Sequence, residues 1–172
     1  MKKRTSYILV ISIIVVGLVI DLVTKSVLAS VLQHGETEIV IIPDFLKLMY
    51  MENDGAAYGI LGGQTWLLIL VTLVFVIGFT LYYIFNHSTS LLYNFGIGFI
   101  ISGALGNFVD RICLGYVRDF VSFKFFNFVF NLADVFITIG VICFAIFTIK
   151  ELIRESREAK GKNIGNDTLS DK

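Results

Sequence analysis

Long apolar runs constrain this chain more than any other feature of its sequence. The run from Trp66 to Phe85 contains no charged side chain and is about as long as a helix that crosses a bilayer. Comparable apolar segments lie at Tyr7–Ile20, Leu91–Val109 and Phe128–Ile149. Hydrophobic residues make up 56% of the chain and charged residues only 16%, which is outside the range of soluble globular domains. We therefore predict an all-α polytopic membrane protein.

These runs predict four transmembrane helices, at about residues 6–30, 64–85, 91–111 and 129–150. Residues 1–152 would then form a single integral membrane domain. The segment 153–172 mixes both charge signs with Gly, Asn and Ser, and this composition predicts a disordered tail. Strand-like segments at Ile39–Ile42 and Leu46–Met51 predict a small extracytoplasmic β-ribbon between the first two helices. The polar segment Arg111–Asn127 is predicted to be a loop.

Basic residues close to the outermost helices predict the orientation of the chain. They are Lys2, Lys3 and Arg4 before the first helix and Lys150, Arg154 and Arg157 after the last. The positive-inside rule places both ends in the cytoplasm, so the β-ribbon and the 111–127 segment would lie on the extracytoplasmic side. The formal net charge is zero, and without a basic patch interleaved with aromatic residues we expect no nucleic-acid partner.

Polar side chains inside or beside the apolar runs are the candidate functional residues, because ionisable groups at membrane depth are costly and usually mark a site. Asp21 and Lys25 are spaced i,i+4 and are predicted to form a neutralised pair near the membrane interface. Asn107, Asp110 and Arg111 share one face at the end of the third helix. The sequence thus predicts a polar site at one end of the helices.

Two further patterns lie on the third and fourth helices. Small residues recur every four positions at Gly98, Ser102 and Gly106, which favours close approach of another membrane helix. Asn131, Asp134 and Thr138 form a polar stripe on the fourth helix. This stripe is predicted to face protein or water, because lipid could not satisfy its polar groups.

Asp119 and Asp134 are close enough in sequence for a short connection to bring their carboxyl groups together. When two carboxylates lie close together, one retains a proton near neutral pH while the other can act as a base, as in aspartic proteases. A proton relay in a proton-coupled membrane transporter would use the same residue types. A buried structural polar network is a third alternative.

Five short motifs separate these alternatives. In chain order they are Asp21-Leu22-Val23-Thr24-Lys25, Asn53-Asp54-Gly55-Ala56-Ala57, Gly103–Arg111, Val117-Arg118-Asp119-Phe120 and Phe130-Asn131-Leu132-Ala133-Asp134. Together they resemble the lipoprotein signal peptidase family, also called signal peptidase II, from about Asp21 to Thr138. The resemblance implies a four-helix aspartic endopeptidase of the bacterial cytoplasmic membrane. Such an enzyme cuts diacylglyceryl-modified prolipoproteins immediately before the lipid-bearing cysteine.

The resemblance also implies roles for individual residues. Asp119 and Asp134 would be the catalytic dyad. Residues that bind substrate or orient the site would be Asn53, Gly55, Ala56, Asn107, Asp110, Arg111, Asn131, Ala133, Asp21 and Lys25. No metal or other cofactor is implied, and we expect a monomer whose partners are prolipoprotein substrates and membrane lipid. Arg118 would favour the ionised form of Asp119 if its side chain pointed into the site.

Overall fold

Four helices and four short strands make up the part of the chain that the structure describes. The computed structural model describes residues 2–34, 38–55, 61–126 and 128–170, with side chains for all of these except residues 34 and 161–170. The helices are α1 (Lys3–His34), α2 (Thr65–Phe85), α3 (Leu91–Leu114) and α4 (Leu132–Ser170). The strands are β1 (Glu38–Ile42), β2 (Leu46–Asn53), β3 (Val117–Phe123) and β4 (Val129–Phe130). By length and composition, each of the four helices can cross a membrane.

The central helix is α3, which packs against α1, α2 and α4. In α3, 56% of the span is buried inside the protein, compared with 11% in α2. The side chains of α2 are almost all apolar and mostly exposed, so most of the surface of this helix can contact lipid. This difference in burial explains why polar residues concentrate on α3, where they can form hydrogen bonds and ion pairs with other groups of the protein.

Glycine residues allow α3 and α4 to pack with their backbones in contact. A Cβ atom at Gly140 would lie 2.8 Å from the carbonyl oxygen of Gly96 and 2.7 Å from the amide nitrogen of Ile100. A Cβ atom at Gly103 would overlap the carbonyl oxygen of Ala133. These contacts fix the start of α4 against the middle of α3.

The predicted stripe of small residues faces α1. Along this contact Gly98 lies against Ile13, Ser102 against Gly17, and Gly106 against Asp21. The spacing of four therefore does correspond to a close helix contact, and α1 is the helix that occupies it. This contact brings Asp21, in the second half of α1, towards the start of α4.

The strands form one antiparallel sheet in the order β1-β2-β3-β4. The predicted ribbon is confirmed as the β1–β2 pair, in which Val40 lies opposite Lys47. The prediction of a loop from Arg111 to Asn127 was wrong. Helix α3 continues to Leu114 and ends at Gly115, whose φ of 87° is the left-handed conformation that terminates many helices. The chain then forms β3, which pairs along β2.

Helix α4 continues to Ser170, beyond residue 153, where the tail was predicted to begin. Arg154 forms ion pairs with Glu151 and Glu158, one turn away on either side. Opposite charges at spacings of three and four stabilise a helix. Mixed charge in this segment therefore supports a helix that continues beyond the apolar span.

Candidate active site

Asp119 and Asp134 line the same cavity, which has a volume of about 850 Å³. Asp119 lies on β3 and is 1% exposed, whereas Asp134 lies in the first turn of α4. The elements that carry them are fixed independently: β3 by its pairing with β2 and α4 by its packing against α3. The two acids are thus held by the sheet and the helical bundle respectively.

The start of α4 positions Asp134 through a reciprocal cap. The backbone amide of Asp134 donates to Oδ1 of Asn131 at 3.2 Å, and the backbone amide of Asn131 donates to Oδ2 of Asp134 at 3.1 Å. This pairing of a polar N-cap residue with an acid three positions later is a capping box. In addition, the amide of Ala133 donates to Oδ1 of Asp21 at 2.8 Å, so α1 also holds the end of this helix.

Three asparagine side chains hold the two acids. Asn53 donates to Oδ2 of Asp119 at 2.8 Å, and Asn131 donates to Oδ1 of the same residue at 2.6 Å. Asn107 donates to Oδ1 of Asp134 at 2.8 Å. Asn131 also donates to Oδ1 of Asn107 at 3.0 Å. Each acid therefore accepts two N–H donors, and Asn131 contacts both acids.

The turn after β2 positions Asn53. Its Oδ1 accepts the backbone amide of Gly55 at 3.0 Å, which closes a tight local turn. Arg111 donates from Nη2 to the carbonyl oxygen of Gly55 at 2.9 Å, so α3 tethers the same turn. Ala56, the next predicted site residue, lies outside the described residues.

The predicted pair of Asp21 and Lys25 is confirmed, at 2.9 Å between Nζ and Oδ2. Both side chains are 0% exposed, so the pair is buried between helices instead of lying exposed at the interface. Nζ of Lys25 also donates to Oδ1 of Asn107 at 2.9 Å and lies 3.6 Å from Oδ2 of Asp110. The ion pair is therefore part of the network that reaches the acids.

Arg118 does not act on Asp119 in the way its position in the sequence suggested. Adjacent residues of a strand point to opposite faces, and Arg118 donates from Nη2 to Oδ1 of Asp110 at 2.7 Å. Its backbone amide and Nε donate to Oδ2 of Asp110, at 3.0 and 3.2 Å. Asp110 thus ties the start of β3 to the end of α3.

Burial raises the pKa of Asp119 to about 6. Hydrogen bonds from Asn53 and Asn131 and the charge of Lys25 act against this increase, and the negative charge of Asp134 adds to it. A carboxyl group with such a pKa can hold a proton close to neutral pH and release it within the same range. This is the property that a pair of acids needs to act as acid and base.

Sequence reasoning missed the apolar wall of the cavity. Phe126, Phe128 and Phe130 line it, together with Val135 and Ile139 from α4. The three phenylalanines are spaced by two, which is the period that places side chains on one face of an extended segment. Within the described residues, no group of three or more His, Cys, Asp or Glu side chains could hold a metal ion.

The stability of the wild type relative to Asp119→Asn is expected to fall as the pH rises. The pKa of Asp119 lies above its ordinary value of 3.8 in the folded chain, so its ionisation costs native-state free energy. The wild type should therefore lose stability relative to Asp119→Asn between pH 3.8 and about 6, by about 3 kcal/mol at most. Thermal unfolding of both chains in detergent, from about pH 4 to about pH 7, measures this difference.

The exposed Asp44, which pairs with Lys124, provides the control. Asp44→Asn should shift the thermal midpoint only slightly, because an ion pair whose carboxylate side chain is 84% exposed contributes little to stability. A difference between wild type and Asp119→Asn that stays constant over the same range would show that ionised Asp119 does not destabilise the fold.

The architecture and this arrangement of acids agree with comparisons to known proteins. The family model described as Signal peptidase (SPase) II matches residues 13–150. The chain belongs to the signal peptidase II family. The match spans the whole polar network from Asp21 to Asp134. Membership of this peptidase family confirms the family resemblance and the enzyme class inferred from the motifs.

Individual relatives of the signal peptidase II family match most of the chain. The lipoprotein signal peptidase of Clostridium novyi is 43% identical over 143 residues, which cover 81% of this chain and 96% of that protein. The lipoprotein signal peptidase of Lactococcus lactis subsp. lactis is 40% identical over 154 residues, or 88% and 99% of the two chains.

A solved bacterial membrane enzyme, determined by the in meso method at 2.3 Å resolution, has the same fold. It superposes with a TM-score of 0.75 at 32% identity, over 87% of this chain and 90% of that one. The fold class predicted for this signal peptidase II family member, four apolar helices with a small antiparallel sheet, is confirmed.

Proposed function

We propose that this protein is a membrane-embedded aspartic endopeptidase that removes the signal peptides of diacylglyceryl-modified prolipoproteins by cutting before the lipid-bearing cysteine. The observation that carries the proposal is the single residue Asn131, whose side chain donates to the carboxylate of Asp119 and whose backbone amide donates to the carboxylate of Asp134. Such an arrangement suits two acids that work as one unit. The names of the relatives, lipoprotein signal peptidases, supply the class of substrate.

In the proposed mechanism Asp119 and Asp134 share one proton. The ionised carboxylate takes a proton from a water molecule, whose oxygen attacks the scissile carbonyl carbon. The protonated carboxyl gives its proton to the carbonyl oxygen, so a neutral gem-diol forms. A carboxylate then removes a proton from one hydroxyl while the other carboxyl protonates the amide nitrogen. The C–N bond breaks, which leaves a carboxylic acid on the signal peptide and a free amine on the cysteine.

The asparagine donors support this proton exchange. N–H groups directed at a carboxylate stabilise its charged form, and they prevent the oxygens from rotating away from the cavity. Asn53 and Asn107 each hold one acid, and Asn131 holds the two in a fixed relation. Positioning of this kind reduces the entropy lost on reaching the transition state. We assign these three residues to site orientation.

The apolar wall of the cavity favours a lipid-bearing substrate. Phe126, Phe128 and Phe130 line the same cavity as the two acids, and Ile139 continues the apolar lining along α4. Acyl chains attached to the substrate cysteine could lie along this wall while the scissile peptide bond reaches Asp119. The lipid would then remain in an apolar environment throughout the reaction, so the enzyme would not have to extract it from the membrane.

We further propose that both termini lie in the cytoplasm and that the enzyme is a monomer of the bacterial cytoplasmic membrane. The basic residues before α1 and after the α4 span support this orientation. The sheet and both acids lie at the opposite end of the spans from these basic residues. A substrate that has been exported through the membrane would meet the acids on the extracytoplasmic side.

The proposal is tested with purified protein in detergent. It should cleave a diacylglyceryl-modified precursor peptide, keep its rate in the presence of a chelator, and leave the same peptide without lipid intact. A proton-coupled transporter is the alternative function, and it predicts a different result in this experiment. Proton-driven solute uptake into liposomes, without cleavage of the lipidated precursor, would contradict the proposed function.

A further inference from the structure

Lys25 lies in a position that its ion pair with Asp21 does not fully explain. The side chain is 0% exposed, and a pair with Asp21 alone would neutralise it. Nζ nevertheless also donates to Oδ1 of Asn107 at 2.9 Å. Among the described residues that line the cavity, Asn107 is present and Lys25 is not. Lys25 therefore reaches the active site only through other side chains.

The chemistry of this contact fixes the orientation of the Asn107 carboxamide. An ammonium group can only donate hydrogen bonds, whereas a carboxamide has one accepting end and one donating end. With Oδ1 held by Lys25, the Nδ2 group must point the other way, and it donates to Oδ1 of Asp134 at 2.8 Å. In the reversed orientation, two oxygen acceptors would face each other at Asp134.

The other two asparagines of the site do not depend on a charged side chain in this way. Oδ1 of Asn53 accepts the backbone amide of Gly55, and Oδ1 of Asn131 accepts the backbone amide of Asp134. Oδ1 of Asn107 accepts only side-chain donors among the described contacts, from Asn131 and from Lys25. Of these two, only Lys25 carries a charge, which makes its hydrogen bond the stronger one.

We propose that Lys25 is a positioning residue for the peptidase reaction, because its ammonium holds the Asn107 carboxamide in the orientation that donates to Asp134. The inference rests on the proposed function, since it concerns the rate of that reaction. Lys25 contacts neither the substrate nor the reacting atoms. Its loss should reduce turnover and leave substrate binding almost unchanged.

The test compares two chains that carry the same neutral residue at position 21. Both contain Asp21→Asn, so that Asp21 is not left as a buried carboxylate without its ammonium, and Asp110 keeps its ion pair with Arg118. One chain adds Lys25→Met and the other adds Lys25→Gln. Glutamine retains an N–H donor for Asn107, and methionine of similar length does not. The chain with Lys25→Met should have a kcat about 10- to 100-fold below that of the chain with Lys25→Gln. This is the loss expected when Asn107 no longer donates its hydrogen bond to the charged Asp134. KM for the lipidated precursor should differ by less than about threefold.

Equal kcat values for folded methionine and glutamine chains would overturn the proposal. A second test adds Lys25→Met to a chain that already carries Asp21→Asn and Asn107→Ala, where it should change kcat by less than about threefold, because the residue that Lys25 acts through is already absent. A full loss in that background would also overturn the proposal. A wild-type chain that leaves the lipidated precursor intact would contradict the proposed function itself, and this inference with it.

If the methionine chain does not accumulate in folded form, Asn107→Asp tests the same contact. Aspartate at position 107 keeps an acceptor for Lys25 and removes the N–H that Asp134 accepts. This variant should lower kcat by about 10- to 100-fold as well. Turnover at the wild-type rate would show that the orientation held by Lys25 does not matter to the reaction.

Discussion

Asp119→Asn and Asp134→Asn are each expected to lower turnover of a lipidated precursor by at least about 1,000-fold, because in the proposed mechanism each acid supplies a proton-transfer step that no neighbouring group replaces. The double variant should be no slower than either single variant, since the two groups work as one unit. Single-turnover cleavage by purified protein measures all three rates. Binding of a non-cleavable lipidated peptide should stay within about tenfold of the wild type.

Asp44→Asn is the matched control for these substitutions. Asp44 is an exposed acid in the turn between β1 and β2 that pairs with Lys124, and it is not among the described residues that line the cavity of Asp119 and Asp134. This variant should cleave at the wild-type rate. Additive losses in the double variant would contradict a shared role, because independent residues lose activity independently.

Gly103→Ala is expected to cause the second large loss. An added Cβ atom would overlap the carbonyl oxygen of Ala133 and lie 2.8 Å from Cγ1 of Ile137, so α4 must shift away from α3. Overpacking of this kind costs about 1–3 kcal/mol. The shift also moves Asp134, the residue after Ala133, and a displacement of about 1 Å can cost about 100-fold in rate. Thermal unfolding and cleavage by the same preparation measure both effects.

The control for this substitution is Gly78→Ala on α2. An added Cβ atom at Gly78 would have no neighbour within 4 Å, and alanine favours a helix more than glycine does. Gly78→Ala should therefore unfold at the same or a higher temperature and cleave normally. If Gly103→Ala behaved like Gly78→Ala, the α3–α4 contact would not determine the position of Asp134.

The helices could be predicted because their signal is local. A helix in the membrane must satisfy its own backbone groups, so length and apolarity alone identify a span such as α2. The pair of Asp21 and Lys25 was predictable for the same reason, since residues four apart face each other on a helix whatever its surroundings.

Strand β3 could not be predicted in the same way. Arg118, Asp119 and Ser122 interrupt its Val and Phe residues, so the segment lacks the regular alternation of polar and apolar positions that identifies a half-buried strand. It becomes a strand because it pairs with β2, for example Asn53 with Val117. Pairing between segments so far apart in sequence leaves no local pattern, and this pairing is what brings Asn53 to Asp119.

The sequence contains a signal for the start of α4, but its first residue was interpreted as part of the helix. The fourth helix was predicted from residue 129, with Asn131 on its polar stripe, yet α4 begins at Leu132. Asn131 stands before the helix and caps it, with Asp134 three positions later. A polar residue followed by an acid at this spacing is a known helix-start pattern, so the cap could have been found in the sequence.

The face of β3 on which the Arg118 side chain lies is determined by the fold and could not be read from the neighbouring residues. In the sequence, Arg118 would favour the ionised form of Asp119 only if its side chain pointed into the site, but alternation along β3 places the two side chains on opposite faces. Asp110 then accepts three hydrogen bonds from Arg118. This contact gives Asp110 a structural use and directs the Arg118 guanidinium to Asp110 instead of Asp119.

The most direct test of the dyad compares Asp119→Asn with Asp110→Asn in one cleavage assay, with rates normalised to folded protein. Asp110 is 1% exposed and both of its oxygens contact Arg118, so its substitution should lower the yield of folded protein while the folded fraction still cleaves. Asp119→Asn should fold in normal amounts and show no turnover. If Asp119→Asn cleaved at the wild-type rate while folded Asp110→Asn was inactive, Asp119 would not be a member of the catalytic pair.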